Sequence, residues 1–163
     1  MKTTHTRSKI VDCAVSHLSA LSTPYTTPDN GISPESGFDC SGFICFVLDY
    51  LKIPRSLEIR HASELFDSFG IPIHPEARGA GDLVFFSKDG YRPTHVGILF
   101  TNIDFIHSPG TPGSKVCISS LPECKIFHHT SQRLEGQLYF HNPIGFKRVA
   151  IKNGRYQSQL PLD

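Results

Sequence analysis

The sequence predicts an α+β domain in which N-terminal helices precede an antiparallel sheet of about five to six strands. Over roughly the first 70 residues, apolar side chains recur at helical spacing. From about residue 82 onwards the period changes to two, which is typical of strands. Short turn sequences link these strands and favour antiparallel pairing. The 163 residues fit one domain, since domains usually have about 100–200 residues.

Three helices are predicted in the first half of the chain. The first covers about residues 7–21, where apolar side chains recur every three or four positions. A loop rich in Pro, Gly and Ser then leads into a second helix over 40–51. This helix is apolar on nearly every side, which indicates a buried helix, and Pro54 follows its end. A third, shorter helix is predicted at about 60–69 and is closed by Gly70.

The second half contains the predicted strands, at about residues 82–86, 95–100, 104–108, 115–120 and 145–151. Turn residues such as Gly, Pro and Asn separate them. The stretch 121–143 matches neither the helical nor the strand period, and we expect an irregular excursion there.

The composition excludes several classes of function. A net charge of +1 gives no electrostatic reason to expect nucleic acid or an anionic membrane as partner. No stretch approaches the roughly 20 apolar residues of a membrane helix, and the N-terminus lacks the apolar core of a signal peptide. We therefore expect no membrane insertion. The expected location is the cytoplasm, or the periplasm or cell wall after export by a route other than Sec.

One of the five cysteines, Cys40, lies in a position that suits a nucleophile. It follows the Gly-rich loop and begins the buried helix, where unpaired backbone N–H groups lower the pKa of a thiol. The Cys40 N–H would also point at the carbonyl that the sulfur attacks, as half of an oxyanion hole. Cys45, in the interior of the same helix, is predicted to be a core residue. Position alone leaves the same reading open for Cys40.

His95 is the predicted base for this thiol, because it opens an apolar strand beside Gly97 and can approach a neighbouring helix closely. His107 is the predicted third member. With a three-residue loop at 101–103, Gly97 opposes His107, and His107 then shares a sheet face with His95. A two-residue loop would place the two histidines on opposite faces. The remaining histidines fall in polar helical, terminal or loop segments.

No metal site and no cofactor are expected. The odd number of cysteines includes no CxxC pair, and the histidines and cysteines lack the spacing of metal ligands.

The chain contains, in this order, Tyr25, DCSGF at 39–43, GDLVFF at 81–86, HVGILF at 95–100 and FIHS at 105–108. This series resembles the NlpC family of cell-wall cysteine peptidases, in the branch where the cysteine precedes the histidine. The resemblance extends over about residues 10–150 and implies that 1–163 form one catalytic domain with a papain-like fold. It also implies Cys40 as nucleophile, His95 as general base and then acid, and His107 as the residue that orients His95.

The resemblance further implies a substrate, peptidoglycan or its stem-peptide fragments, cleaved between γ-D-glutamate and a diamino acid. Asp39 and Ser41 would hold the free amine of the stem peptide, and Tyr25 would contribute to the oxyanion site. A carboxylate suits an ammonium group, and a phenol can donate to an oxyanion. Asp39 could instead be a plain helix N-cap, and Tyr25 a loop anchor.

Residues 26–31, TTPDNG, depart from the Trp-Gly-Gly-like stretch common in the family, so the preferred substrate stays open. An N-acetylmuramoyl-L-alanine amidase is the alternative hydrolase. Acyl transfer by the same thiol would need an apolar acyl site, which the sequence does not show. A non-catalytic binding module is disfavoured by the intact cysteine and histidine set. We expect the protein to be a monomer.

Overall fold

The structure, a computed structural model, describes residues 2–88, 91–121, 127–128, 133–134, 143–149, 151–152 and 155–156. Within these ranges there are three α-helices, α1 (Lys2–Ser16), α2 (Cys40–Tyr50) and α3 (Ala62–Ser68), and a short 3-10 helix at Pro75–Ala77. The strands are β1 (Ile32–Ser33), β2 (Gly37–Phe38), β3 (Ile71–Ile73), β4 (Leu83–Phe86), β5 (His95–Leu99), β6 (Asp104–His107), β7 (Cys117–Ser120), β8 (Phe127–His128), β9 (Arg133–Leu134), β10 (Gly145–Arg148), β11 (Ile151–Lys152) and β12 (Arg155–Tyr156).

Six strands form the central sheet in the order β3-β10-β4-β5-β6-β7, with every neighbouring pair antiparallel. The predicted α+β class and the predicted number of strands are confirmed. Three two-stranded sheets, β1-β2, β8-β9 and β11-β12, accompany it. Among the helices of the described residues, none has the length and apolar character that crossing a membrane requires.

The core lies on both sides of the sheet. Helices α1, α2 and α3 supply apolar side chains to the larger cluster, which covers one face. A smaller cluster on the other face contains Val84, Phe86, Leu99, Phe105, Leu121 and Phe146. Every residue of β4 and β5 is therefore buried, which explains why these two strands are nearly continuous apolar runs in the sequence.

The first helix was predicted over 7–21, but in the structure it begins at Lys2 and ends at Ser16. Two polar side chains contact one carbonyl oxygen of its last turn. Ser16 Oγ donates to Cys13 O at 2.6 Å, and His17 Nδ1 lies 2.8 Å from the same oxygen. Ser19 then adopts a left-handed φ of 72° and donates its N–H to Val116 O beside the sheet. Side chains that hydrogen-bond to nearby backbone compete with helix continuation, and apolar spacing alone does not detect this.

Two predicted segments differ in other ways. Strand β3 was not predicted, because Pro72 interrupts it; it lies at the edge of the sheet, where a proline is tolerated. The predicted strand 145–151 ends at Arg148 and is followed by the separate β11. The excursion predicted over 121–143 lies mostly outside the described residues, which include β8 and β9 there.

Candidate functional site

Cys40 is the first residue of α2, as predicted. Asp39 caps this helix by accepting the Gly42 N–H at 2.7 Å. A Cβ on Gly42 would lie 1.9 Å from Gly31 O, so only glycine allows the preceding loop to pack this closely on the helix start. Sequence and packing together fix the place of the thiol at the first turn of a buried helix.

The Cys40 sulfur lies against the start of β5. It is 4.0 Å from Thr94 O, and the backbone N–H of Val96 also reaches it. These two residues flank His95 in the chain. The helix start and the strand that carries the predicted base therefore meet at the sulfur.

Burial raises the pKa of the Cys40 thiol to about 12, and the charge of Asp39 acts in the same direction. Hydrogen bonds from the backbone N–H groups of Ser41 and Val96 lower it, as does the more distant charge of Arg60. The helix start therefore acts in the direction expected from the sequence, but desolvation outweighs it. A thiol with a pKa raised in this way is protonated near neutral pH, so a role as nucleophile would require a base to take its proton.

His95 and His107 are joined by a hydrogen bond, with His95 Nε2 2.8 Å from His107 Nδ1. The hairpin of β5 and β6 pairs Ile98 with Ile106 and Leu99 with Phe105, which is the register predicted from a three-residue loop. Both histidines are 1% exposed, and their rings are nearly perpendicular, at 88°. Nε2 of His95 is thus turned towards His107, and Nδ1 is the nitrogen that remains on the other side of the ring.

The second ring nitrogen of His107 contacts β7. Its Nε2 lies 2.9 Å from Ser119 Oγ and 3.6 Å from Cys117 Sγ. Strand β7 pairs Cys117 directly with His107 and places Ser119 opposite Phe105, on the same sheet face. Neither Cys117 nor Ser119 stands out in the sequence as a site residue. Side chains alternate between the two faces of a strand, so the two residues could have been identified if the register between β6 and β7 had been known.

A cleft of about 380 Å³ opens over Cys40. Its lining comes from four parts of the chain: Tyr25; the helix start with Asp39, Cys40 and Ser41; residues 61–63; and residues 92–94. The structure therefore brings all three residues predicted to bind substrate, Tyr25, Asp39 and Ser41, to the same cleft as the thiol.

Arg60 holds this wall of the cleft together and was missed in the sequence. Its guanidinium forms an ion pair with Asp39 and donates to Ser41 Oγ at 3.1 Å. It also donates to the carbonyls of Pro28 and Asn30, at 3.0 and 2.7 Å. Burial lowers the pKa of Arg60, but its contacts with Asp39 outweigh this and raise it. An acidic N-cap before a fully apolar helix was the available signal, because a buried carboxylate needs a cation.

Tyr25 stands at the edge of the cleft and is 43% exposed. Its ring packs edge-on against His61, with centroids 4.8 Å apart, and lies 5.2 Å from the Arg60 guanidinium carbon. These contacts fix the ring in the cleft that Cys40 also lines. His61, which the sequence placed among the polar surface histidines, is exposed and also lines the cleft.

Comparison with protein families gives a match over residues 23–153 to the model of the NlpC/P60 family. The chain belongs to the NlpC/P60 family. The resemblance noted in the sequence is thereby confirmed. A crystal structure supports the fold. It is that of an NLP/P60-family protein from Staphylococcus aureus, similar to lipoprotein, and it superposes on this structure with a TM-score of 0.61 and 28% sequence identity. The superposition covers 91% of this chain and 42% of that one. This chain therefore has the papain-like fold of NlpC/P60 domains, as predicted.

Three curated NlpC/P60 relatives are informative. Murein DD-endopeptidase MepH of Escherichia coli is 39% identical over 98 residues, covering 57% of this chain and 34% of that protein. The probable peptidoglycan endopeptidase LytE of Bacillus subtilis is 38% identical over 102 residues, covering 62% and 27%. The gamma-DL-glutamyl hydrolase of Bacillus subtilis is 31% identical over 88 residues, covering 51% and 20%. The chain spans about a third or less of the length of these relatives.

Proposed function

We propose that the chain is a cysteine peptidase that hydrolyses an amide bond in peptidoglycan stem peptides. The observation that carries the proposal is the hydrogen bond between His95 of β5 and His107 of β6, next to the point where Thr94 and Val96 contact the Cys40 sulfur. The proposed nucleophile lines a cleft open to substrate, and the strand that begins with the proposed base passes beside its sulfur. The names of the NlpC/P60 relatives, which are endopeptidases of peptidoglycan or murein, support the substrate class.

In the proposed reaction, the Cys40 proton passes to Nδ1 of His95 as the sulfur attacks the substrate carbonyl. The oxyanion accepts the N–H of Cys40 and the phenol of Tyr25. When the C–N bond breaks, His95 returns the proton to the leaving amine, which leaves a thioester on Cys40. Water, deprotonated by His95, then attacks the thioester and releases the carboxylic acid, and the proton goes back to the sulfur.

The bond proposed is the one between γ-D-glutamate and the diamino acid. The relative named gamma-DL-glutamyl hydrolase supports a bond to a γ-glutamyl group, whereas the name of MepH specifies a DD bond. Ser41 and Asp39 are proposed to face the free amine of the stem peptide. The Asp39 carboxylate is buried and already forms an ion pair with Arg60, so an ammonium would meet a carboxylate whose charge is balanced. The role of Asp39 in amine binding stays a prediction, as does the monomeric state.

The test is digestion of purified peptidoglycan and of the stem peptide L-Ala-γ-D-Glu-diaminopimelate-D-Ala, with mass spectrometry of the products. We expect the wild-type chain to release L-Ala-D-Glu, and Cys40→Ala to lower the rate by about 10³-fold or more. Cys45→Ala is the matched control, since Cys45 is a core thiol of the same helix and is 1% exposed. It should retain most of the activity of the folded protein.

Each other product has a defined meaning. A new amine at the muramoyl-L-alanine bond would indicate that the chain is an N-acetylmuramoyl-L-alanine amidase and not an endopeptidase. Cleavage only at cross-links between D-residues would move the bond to the one named for MepH. If none of these substrates is cleaved, the proposed hydrolase activity is wrong. If Cys45→Ala loses activity and Cys40→Ala does not, the assignment of Cys40 as nucleophile is wrong.

A further inference from the structure

We propose that Ser119 is a positioning residue that holds the His107 ring in the tautomer with its proton on Nε2, and so keeps His95 able to act as a base. The inference rests on the proposed function for its consequence in catalysis. Its structural content, the tautomer of His107, can be measured without any substrate.

The geometry starts from β7. Cys117 and Ser119 are two residues apart on this strand, so their side chains lie on one sheet face together with that of His107. Ser119 Oγ is at full hydrogen-bond distance from His107 Nε2, 2.9 Å, whereas Cys117 Sγ is at 3.6 Å. His107 is 1% exposed, so these contacts are made away from solvent, where an unpaired ring nitrogen would be costly.

The direction of the hydrogen bonds follows from counting protons. A neutral imidazole has one N–H and one bare nitrogen. For His95 to accept the proton of Cys40 on Nδ1, its own proton must be on Nε2, and this N–H must donate to Nδ1 of His107 across 2.8 Å. His107 must then have its proton on Nε2, and that N–H donates to Ser119 Oγ.

Ser119 favours this direction because its hydroxyl oxygen is the better acceptor of the two β7 groups near His107 Nε2. The oxygen lies 2.9 Å from that nitrogen, whereas the Cys117 sulfur, a weak acceptor, lies 3.6 Å away. Ser119 therefore orients His107, and His107 orients His95.

Removal of the hydroxyl reverses this preference. In Ser119→Ala the Cys117 thiol is the donor in reach of His107 Nε2, and it favours the tautomer with a bare Nε2 and a protonated Nδ1. That proton would be donated to His95 Nε2 and would force the His95 proton onto Nδ1. A ring protonated there cannot take the proton of Cys40, and placing a catalytic histidine in the wrong tautomer is known to lower kcat severely.

The experiment uses the full chain labelled with ¹⁵N-histidine, because the ¹⁵N shifts of imidazole distinguish a protonated from a bare nitrogen. The wild type and Ser119→Thr, which keeps a hydroxyl, should show His107 protonated on Nε2, and Ser119→Ala should show the proton on Nδ1. His107→Asn assigns the resonances. In the peptide assay we expect Ser119→Ala to lose about tenfold or more in kcat with KM nearly unchanged, and Ser119→Thr to recover most of it.

Two results overturn the proposal: a wild-type His107 protonated on Nδ1, or Ser119→Ala with an unchanged tautomer and unchanged kcat. The first needs no variant, so the proposal can be refuted even where Ser119→Ala does not fold. The tautomer experiment is also independent of the substrate. A chain that shows the expected tautomers but cleaves no peptidoglycan would sink the proposed function and leave the role of Ser119 intact.

Discussion

Burial, rather than the helix start, dominates the chemistry of the Cys40 thiol. The sequence indicated which cysteine lies at a helix N-terminus, and the structure confirms that position. It did not indicate how strongly the sulfur is desolvated, because that depends on the residues before β5, which are distant in the chain. The result is a thiol with a raised pKa, which in the proposed reaction depends on His95 for activation.

The first prediction concerns alkylation of Cys40 by iodoacetamide between pH 6 and pH 11. Only the thiolate reacts, and a group with a pKa raised to about 12 gains thiolate throughout this range. The rate should therefore rise by about tenfold per pH unit, without the plateau that free cysteine reaches above its pKa of about 8.5. Modification is measured by mass spectrometry with fragment localisation to Cys40.

Cys45 provides the internal control, since it is 1% exposed and should stay unmodified while the protein is folded. A Cys40 rate that is already constant between pH 6 and pH 8 would contradict the prediction. It would indicate a thiolate paired with a protonated His95 in the resting protein.

At the scale of elements, the hairpin of β5 and β6 shows what could be predicted and what could not. A three-residue loop determines the register, and the register places His95 and His107 on one face, so this part followed from local sequence. The contribution of β7 did not, because the long connection between β6 and β7 gives no register. Arg60 was missed for a related reason: it meets Asp39 through the fold, from 21 positions further along the chain.

Gly97→Ala tests the hairpin. A Cβ at this position would lie 2.9 Å from a ring carbon of Phe105, 3.2 Å from Ile106 O and 3.4 Å from His107 Cβ. Two of these atoms belong to backbone or to its first side-chain carbon and cannot swing away, so β5 and β6 must separate locally. We expect a loss of about 1–3 kcal/mol in the free energy of unfolding. We also expect kcat to fall about tenfold as the 2.8 Å bond between the histidines lengthens.

Unfolding in urea and peptide hydrolysis measure these two effects separately. Gly79→Ala is the matched control, because its Cβ would meet only Arg7 Nη1, at an ordinary 3.5 Å. A Gly97→Ala protein with wild-type kcat would show that the distance between the two histidines does not limit the reaction.

At the scale of the whole molecule, the buried carboxylate of Asp82 joins elements that are far apart in the chain. Arg148, at the end of β10, donates to both of its oxygens at 2.9 and 2.8 Å, and Arg7 of α1 lies 3.7 Å away. The backbone oxygen of Asp82 accepts the N–H of Leu99 in β5. The GDLVFF block that supported the family resemblance therefore includes a structural anchor as well as a core strand.

Asp82→Asn keeps the shape of the side chain but removes its charge, and so leaves the Arg148 guanidinium without its carboxylate. Breaking a buried pair from one side costs about 3–5 kcal/mol. Because Arg148 is partly exposed, we expect the loss in the free energy of unfolding to fall below this range, at about 2–3 kcal/mol. Asp49→Asn is the control: it breaks the bidentate pair with Arg55, but Asp49 is 53% exposed, so the loss should stay below about 1 kcal/mol. Urea unfolding measures both.

Because Asp82 lies beside Leu99, at the opposite end of β5 from His95, kcat per folded molecule of Asp82→Asn should be unchanged. Equal losses for the two variants would show that the Asp82 pair is no more than another surface contact, and a lowered kcat in folded Asp82→Asn would show that the anchor also determines the position of His95.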